Sequence, residues 1–422
     1  MNNPSAQSAL IAGHPLPKCF ADTLLVIRRG KGVRLQDRAG RWYLDFTGGI
    51  AVNALGYGRA DLARTAYRQM RRLTHISNLY TTEPLLELGA KMLATSGFAA
   101  VQFLSSGSEA NETALKYARL YALRRKGKGC HRLLCFTGAF HGRTLGALSV
   151  TPSAKYQDPF GPLLPGVEVA PYNDCSALER VLDRSFAGVI AEVVQGEGGL
   201  ACMSPEFARA LNHLCRELDV ILIADEVQTG LGRMGALFAS RALGLEPDIV
   251  TLAKPLAGGL PLAAALIPAK VNDLIHVGEH GTTFGGGPVT TAVASRVWDL
   301  ISSPGFLAEV RDKGEYLRGR LERLAGSYPF LGEVRGRGML LGVEVKLEAL
   351  TAAPAPADPA VPVDPMADLL TACREEGLLI LRSGVNVLRI APPLVITKKE
   401  IEEGSARLAR ALGRFKSDGG SK

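Results

Sequence analysis

From about residue 61 onwards, short apolar runs alternate with amphipathic stretches, and this alternation constrains the fold more than any other feature. The stretches Glu109–Arg124 and Pro205–Leu218 have the apolar spacing of helices. The apolar runs predict strands at Ala100–Leu104, Arg132–Phe136, Gly188–Val194, Val220–Ala224, Ile249–Ala253 and Leu262–Ile267. Strands that alternate with helices form a mostly parallel sheet with helices on both faces. The sequence therefore predicts an α/β protein.

The two ends of the chain break this alternation and predict a smaller α+β unit. Residues Arg34–Phe46 alternate around a turn at Asp37–Gly40, which predicts a hairpin. After about residue 300, a helix precedes predicted strands at Gly338–Val345, Leu378–Leu381 and Val387–Ile390. The Ala/Pro-rich residues 350–365 predict an exposed loop. We predict an N-terminal segment (1–60) that joins the small domain, a large cofactor-binding domain (61–299) and a C-terminal small domain (300–422).

The composition of the chain argues against several classes of protein. A net charge of +8 over 422 residues is too small and too scattered to indicate nucleic-acid binding. The longest apolar run, Leu256–Ala269, is interrupted by glycines and prolines and is too short to cross a bilayer. The seven cysteines are scattered, and the N-terminus lacks the pattern of a signal peptide. We expect a cytoplasmic protein that binds no metal, nucleic acid or membrane.

Two charged residues follow apolar strands directly and indicate the chemistry. Asp225 follows the predicted strand Val220–Ala224, and Lys254 follows Ile249–Ala253. Open α/β sheets bind their ligands at the carboxyl ends of the strands. The aldehyde of pyridoxal 5'-phosphate (PLP) requires an amine, and its pyridine nitrogen requires an acid that keeps it protonated. The two residues would supply this pair, whereas a lysine alone would more often be a surface residue with a buried stem.

Two further segments fit the same cofactor. Residues Phe103–Asn111 run from a strand through small residues into a helix, whose first N–H groups and dipole attract phosphate. Ser108 alone could be only a helix N-cap. Phe140, after another strand, could stack on a ring, and Arg143 could bind a carboxylate. Taken singly, such residues are more often found in the core and on the surface.

Six segments of the chain occur in the same order as in a known enzyme family: SSGSEAN, FHGRTLGALS, QGEGG, ADEVQTGLGR, TLAKPLAGGLP and HGTTFGG. In these segments the chain resembles the class III aminotransferases of PLP fold type I, from about Leu25 to Leu412. Three more segments, FTGGIAVNALGYG, KYQDPFGPLLPG and NVLRIAPPL, are most similar to those of the acetylornithine and succinylornithine aminotransferases. The resemblance implies a large domain with a mostly parallel sheet, a smaller α+β domain and PLP as the cofactor.

The resemblance also assigns roles to individual residues. Lys254 resembles the lysine that carries PLP as a Schiff base and moves the substrate proton, and Asp225 resembles the acid that pairs with the pyridinium. The remaining cofactor residues of the family hold the phosphate or border the ring, one of them from a partner subunit. They correspond to Gly107, Ser108, Phe140, Val227, Gln228 and, from the partner subunit, Thr283.

Four residues correspond to the family's substrate contacts. Arg143 resembles the arginine for the donor's α-carboxylate, and Arg389 the one for the α-carboxylate of glutamate or 2-oxoglutarate. Glu197 resembles the gate that pairs with Arg389 until the dicarboxylate arrives, because an unpaired arginine in a closed pocket is costly. Thr282 would touch substrate from the neighbouring chain. The resemblance therefore implies a homodimer with shared active sites.

The implied reaction moves the terminal amino group of N2-acetylornithine, or a similar N-acyl diamino acid, to 2-oxoglutarate in a ping-pong cycle, as in arginine biosynthesis. Alternative donors are ornithine, 4-aminobutyrate, succinylornithine and carrier-linked aminoadipate semialdehyde precursors. An aminomutase or a non-catalytic relative would share the fold, although the latter would be expected to lack Lys254 or Asp225. An NAD-dependent oxidoreductase is the remote alternative, because Gly230, Gly232 and Gly235 match G-x-G-x-x-G.

Three departures from the family pattern concern single positions. Pro255 follows the predicted catalytic lysine where many relatives have glycine. Gly58-Arg59-Ala60 replaces a familiar His-Pro. Phe20 lies near a position where relatives often have a tyrosine that holds a substrate carboxylate, so this departure bears on the choice of donor.

Overall fold

The computed structural model describes residues 25–350 and 364–415. Its centre is a sheet formed by β4 (Ala100–Leu104), β5 (Arg132–Phe136), β6 (Val167–Ala170), β7 (Phe186–Ala191), β8 (Ile221–Asp225), β9 (Ile249–Leu252) and β10 (Ala263–Ile267). The seven strands lie in the order β4-β10-β9-β8-β7-β5-β6. Only β10 runs against its neighbours β9 and β4, while the other pairs are parallel. The predicted mostly parallel sheet is confirmed.

Apolar side chains on both faces of this sheet are covered by helices. On one face, Ile221 and Ile223 of β8 pack in a cluster with residues of the helix Gly107–Arg125. On the other face, Leu222 and Ala224 belong to a larger cluster with residues of the helices Pro205–Glu217 and Pro288–Ile301. β7, β8, β9 and β10 are buried along their whole lengths. Burial on both faces explains why these strands read as continuous apolar runs.

Helices are the most abundant regular elements in the rest of the described residues. They span Ala60–Arg72, Glu83–Ser96, Gly107–Arg125, Leu145–Ser149, Ala154–Gln157, Cys175–Val181, Pro205–Glu217, Ala239–Ala242, Ala269–Asn272, Pro288–Ile301, Pro304–Ser327, Pro365–Glu375 and Lys398–Gly413. Short 3-10 turns lie at Asp158–Phe160 and Leu347–Ala349. Within the described ranges, none of the helices is both long enough and apolar enough to cross a bilayer.

Two smaller sheets join the ends of the chain. The hairpin predicted around Asp37–Gly40 forms, and its strands belong to a sheet of β1 (Ile27–Lys31), β2 (Arg34–Asp37), β3 (Trp42–Asp45) and the C-terminal β13 (Leu378–Leu379). The other sheet contains β11 (Leu331–Arg337), β12 (Leu340–Val345), β15 (Val387–Ile390) and β14 (Leu381–Ser383). Because β3 pairs in parallel with β13, the N-terminal strands share a sheet with the C-terminal part. The domain boundaries at residues 60 and 299 stay a prediction.

Several predicted boundaries differ from the structure. The strand predicted at Gly188–Val194 ends at Ala191, and β9 ends at Leu252, so Lys254 lies in the following turn and not on the strand. The strand predicted at Leu378–Leu381 is two strands in different sheets, which an apolar run cannot distinguish from one. β6 was not predicted, because only four residues form it at the sheet edge. Of the loop predicted at 350–365, residues 351–363 lie outside the described residues, as does Phe20.

Candidate active site

A cavity of about 360 Å³ opens where the strands of the central sheet end. Asp225 is the last residue of β8, and the segments that follow β4, β5, β7 and β9 supply most of the other walls. Its lining includes Val52, Ser105, Gly107, Ser108, Asn111, Phe140, His141, Glu192, Asp225, Val227, Gln228 and Lys254. The carboxyl ends of parallel strands meet at one edge, so residues that are far apart in sequence converge here.

The carboxylate of Asp225 is held by three hydrogen-bonding groups at the floor of the cavity. Its Oδ2 lies 2.7 Å from Nδ1 of His141 and accepts a hydrogen bond from Nδ2 of Asn111 at 2.7 Å. Its Oδ1 accepts the backbone N–H of Val227 at 3.0 Å. Thr251 in turn donates to Oδ1 of Asn111 at 2.7 Å, which orients that amide. These contacts stabilise a negative charge in one fixed position.

Lys254 lines the same cavity. Within residues 25–350 and 364–415, its Nζ has no hydrogen-bonding or ion-pair partner. Burial lowers the pKa of Lys254 to about 8, and the positive charge of Arg389 contributes in the same direction. An appreciable fraction of this amine is therefore neutral near physiological pH, as a nucleophilic or proton-accepting amine must be.

The first turn of the helix Gly107–Arg125 forms another wall. Ser106 caps this helix by accepting the N–H of Glu109 at 3.2 Å. A side chain at Gly107 would place a Cβ 2.8 Å from Val227, so glycine is required for the close approach of these two segments. The first N–H groups of a 19-residue helix lack partners within the helix and carry a partial positive charge. This wall suits a phosphate, as the sequence predicted.

Phe140 lines the cavity, and Arg143, which is not one of the residues that line it, lies beside Phe140. The Arg143 guanidinium lies 3.7 Å from the ring centroid of Tyr156 and 5.5 Å from that of Phe140. Arg143 is exposed, whereas Phe140 is half-buried and lines the cavity. A guanidinium on aromatic rings loses little mobility when it binds a carboxylate, because stacking already orients its plane.

Arg389 and Glu197, which lie 192 positions apart in sequence, form a direct ion pair. Nη1 of Arg389 also donates to the carbonyl oxygen of Gly196 at 2.9 Å. The Arg389 side chain is 5% exposed and that of Glu197 31% exposed. A buried arginine thus has one partner that reaches solvent and could be withdrawn.

The structure places three further predicted residues differently with respect to the cavity. Gln228 lines the cavity, and its Oε1 is buried without a hydrogen-bonding partner among the described residues. Thr282 and Thr283 are not brought to this cavity within the same chain. Thr283 is exposed, beside Phe284, which is 70% exposed. Any contribution of Thr282 or Thr283 to an active site would therefore come from another subunit.

The sequence analysis missed several residues of the site. His141 and Asn111 contact Asp225, and Glu192 is buried against the same cavity, where desolvation raises its pKa to about 7. A buried acid directly after β7 was the signal that could have revealed Glu192. Val52 was also missed. It follows a left-handed helical turn at Gly48–Ala51, where Ile50 and Ala51 have φ of 60° and 62°, and such strain clusters at functional sites.

The Gly230–Gly235 segment does not form a dinucleotide-binding turn. Gly232 and Gly235 have positive φ, and their Cα atoms pack against side chains that include Ile301 and Arg311. The next helix begins only at Ala239, so these glycines do not open a helix as the nucleotide fingerprint requires.

Comparisons with known proteins decide the family. The family model described as Aminotransferase class-III matches residues 18–412. The chain belongs to the class III aminotransferases. It is 40% identical to a mitochondrial acetylornithine aminotransferase of Alnus glutinosa, over 95% of this chain and 86% of that protein. It is 41% identical to an acetylornithine aminotransferase of Vibrio parahaemolyticus, over 93% and 94% of the two chains.

The fold of this class III aminotransferase also matches solved structures. The ornithine aminotransferase of Toxoplasma gondii superposes with a TM-score of 0.90 at 32% identity, over 98% of this chain and 96% of that chain. The fold is PLP fold type I, and PLP is the cofactor of the family. The cavity fits this group, because it combines a helix N-terminus for the phosphate, a fixed carboxylate, an aromatic wall and an uncommitted amine.

Proposed function

We propose that this class III aminotransferase transfers the terminal amino group of N2-acetylornithine to 2-oxoglutarate, giving the corresponding semialdehyde and glutamate. The buried Arg389, paired with the half-buried Glu197, carries the proposal. A ping-pong enzyme of this kind must bind a dicarboxylic acceptor and, in turn, a donor that has no carboxylate beside its reacting amino group. An arginine that is masked by a displaceable carboxylate meets both needs in turn. The names of the two acetylornithine relatives support the same donor.

PLP supplies an aldehyde that combines with amines and a protonated ring that withdraws electrons. We propose that Lys254 holds the aldehyde and Asp225 the ring nitrogen. The phosphate would be held by the Gly107 and Ser108 N–H groups. Further contacts would come from Phe140 on the ring face, and from Val227 and Gln228 beside the ring. The fixed carboxylate of Asp225 keeps a proton on the ring nitrogen, because His141 and Asn111 hold the charge in place.

The protein groups around the substrate handle one proton and two carboxylates. Nζ of Lys254, whose pKa is about 8, would accept the proton from the carbon that bears the transferred amino group. Arg143, exposed and stacked on Tyr156, binds the α-carboxylate of the donor. When 2-oxoglutarate arrives, its α-carboxylate replaces Glu197 on Arg389, so the buried guanidinium is never left without a counter-charge.

The proposal includes a homodimer. None of the residues of the helix Ala60–Arg72 is buried. The exposed side chains include two large apolar ones, Tyr67 and Met70, which are 62% and 57% exposed. Leu79 and Tyr80 are 84% and 72% exposed, and Nδ2 of Asn78 ties this segment to the Thr282 carbonyl at 2.6 Å. An apolar surface of this extent on a folded protein is typical of a subunit interface. It would bring Thr282 and Thr283 to the partner's site.

A mixing experiment tests the shared site. Lys254→Ala and Thr283→Tyr chains would each form weakly active or inactive dimers. In a mixed dimer, one site then combines the intact Lys254 of one chain with the intact Thr283 of the other. We expect up to about a quarter of wild-type activity after subunit exchange, as statistical mixing gives. No recovery in a verified mixed dimer, or a monomer by light scattering, would contradict the proposal.

We also propose a cytoplasmic location. The six cysteines within the described residues are free thiols, which fits a reducing compartment. Cell fractionation with a tagged full-length chain tests the location, and recovery in a membrane or exported fraction would refute it.

Ornithine is the second candidate donor, because the Toxoplasma gondii ornithine aminotransferase has the same fold with a TM-score of 0.90. The two donors differ in the N2 group, which is a charged amine in ornithine and a neutral amide in N2-acetylornithine. Spectroscopic titration of the PLP-loaded protein with each donor, followed by 2-oxoglutarate, decides between them. We expect N2-acetylornithine to convert the cofactor to its amine form with the higher rate over apparent Kd. Faster conversion by ornithine would overturn the donor but not the family.

A further inference from the structure

Glu192 is the one buried acid of the cavity that the roles above leave unused. Glu192 directly follows β7 and lines the cavity, and its carboxylate makes two backbone contacts. Oε1 accepts the N–H of Phe140 at 3.0 Å, and Oε2 accepts the N–H of Gly196 at 3.1 Å. One side chain therefore connects the segment that carries Phe140 to the segment that carries Glu197.

The backbone of Gly196 is held through both its N–H and its carbonyl group. Its N–H donates to Glu192, while its carbonyl oxygen accepts Nη1 of Arg389 at 2.9 Å and Oγ of Ser383 at 2.8 Å. The face of its Cα is covered by Gln228, whose Nε2 would lie 2.4 Å from an added Cβ. The position of the Gly196 backbone therefore contributes to where the Arg389 guanidinium lies.

This arrangement matters most when Glu197 releases Arg389. The contact between Arg389 and the Gly196 carbonyl does not involve the Glu197 side chain, so breaking the ion pair does not by itself remove it. We propose that Glu192 is a positioning residue that orients Arg389 for the α-carboxylate of the dicarboxylic substrate, by holding the Gly196 backbone against the segment that carries Phe140. The proposal rests on the assignment of Arg389 to that carboxylate in the proposed function.

Two observations argue that the link is specific and not general packing. Both carboxylate oxygens are used on backbone donors, and desolvation raises the pKa of Glu192 to about 7, so the protein keeps a costly acid where an amide could not make both contacts. A second link joins the same two segments, since Nε2 of Gln195 donates to the carbonyl of Thr137 at 2.9 Å. Replacing the Glu192 carboxylate should therefore loosen the Gly196 backbone, while the contact between Gln195 and Thr137 keeps the two segments together.

The test is Glu192→Gln. Glutamine keeps the size but offers one acceptor and one NH2 group, so one of the two N–H groups must lose its partner. Tyr172→Phe is the matched control, because its hydroxyl donates to the backbone carbonyl of Glu192 at 2.7 Å and does not touch the carboxylate. Ser383→Ala is the second test variant, because it loosens the same Gly196 peptide from its carbonyl side.

Half-reactions measured separately give the readout. We expect Glu192→Gln to raise the apparent Kd for 2-oxoglutarate and for glutamate about tenfold, the effect of one lost charge-assisted hydrogen bond. The apparent Kd for the amino donor and the maximal rates should change less than about threefold. Ser383→Ala should shift the same two constants in the same direction, and Tyr172→Phe should shift neither.

Each other outcome overturns the proposal. Unchanged dicarboxylate constants in Glu192→Gln, or in Ser383→Ala should the first variant fail to fold, would mean that the link does not orient Arg389. Equal losses for donor and dicarboxylates, or the same losses in Tyr172→Phe, would mean a general structural role. The glutamate half-reaction does not use the donor, so an error in the proposed donor would leave this test unaffected. If Arg389→Ala leaves both dicarboxylate constants unchanged, the proposed function itself fails at Arg389.

Discussion

The floor and the gate of the active site hold their charges in opposite ways. At the floor, Asp225 is 4% exposed and its partner His141 is fully buried. The contacts of Asp225 come from Asn111 on the helix Gly107–Arg125 and from the segments that directly follow β5 and β8. At the gate, Arg389 is equally buried but Glu197 is 31% exposed. A charge that must stay in place is surrounded by fixed donors, whereas a charge that must be exposed and covered in turn has one partner that can reach water.

The largest expected effect comes from the amine that faces the floor. Lys254→Ala should lower kcat on the order of 10⁴-fold or more, because a nucleophilic group and a proton carrier are lost together. Stopped-flow absorbance of the loaded protein measures this loss, and circular dichroism verifies the fold. Lys398→Ala, which removes an exposed lysine paired with Asp312, is the control and should retain full activity. Turnover within tenfold of wild type would refute the role of Lys254.

Removing the charge of Asp225 should lower kcat less than the loss of Lys254 does, but it should change the cofactor spectrum. Asp225→Asn keeps the shape of the floor and should lower kcat about 10²- to 10³-fold, the range typical of a lost preorganised charge contact. The adjacent Glu226→Gln is the matched control. Glu226 is also a buried acid, but its carboxylate accepts the N–H groups of Ala239 and Ser240, away from the cavity. It should lower Tm and leave the cofactor spectrum unchanged. If the two variants had similar spectra and rates, Asp225 would have no role toward the cofactor beyond that of a buried structural acid.

Breaking the gate should change selectivity more than rate. Glu197→Gln leaves Arg389 without a counter-charge when the donor is bound, so KM for N2-acetylornithine should rise about tenfold. KM for 2-oxoglutarate should stay the same or fall, since the competing carboxylate is gone. Steady-state kinetics with both substrates varied measures the split. Parallel changes in the two constants would mean that Glu197 is not a gate.

The smallest effect is a shift of one titration. In the protein without cofactor, burial lowers the pKa of Lys254 to about 8, so the amine is charged below that pH and reactive above it. Labelling with an amine-directed reagent, followed by mass spectrometry, should give a midpoint near pH 8 for Lys254, about two pH units below an ordinary lysine. A midpoint at the ordinary value would mean that the cavity does not desolvate the amine.

The parts of the site that could be predicted are those that adjoin regular structure. Asp225 ends the apolar strand β8, and Lys254 lies just after β9. Gly107 and Ser108 open a long helix, so local pattern located all four residues in the sequence. The resemblance then supplied Arg389 and Glu197, which no local pattern would pair. Glu192, His141 and Asn111 were missed, because their roles depend on neighbours across the site, such as the 84 positions that separate His141 from Asp225.

By itself, the sequence determined the elements of this protein and the chemistry of its reactive groups, because strand and helix periodicity and the residue types at strand ends are local properties. It thereby specified a parallel sheet with an amine, an acid and an anion-binding helix terminus at one edge. The tertiary structure alone decided which charges became fixed and which stayed displaceable. That distinction depends on burial and on partners brought from distant strands, as when Arg389 on β15 meets Glu197 after β7. Desolvation acts only once the chain has folded, and it lowers the pKa of Lys254 and raises that of Glu192 in the same cavity.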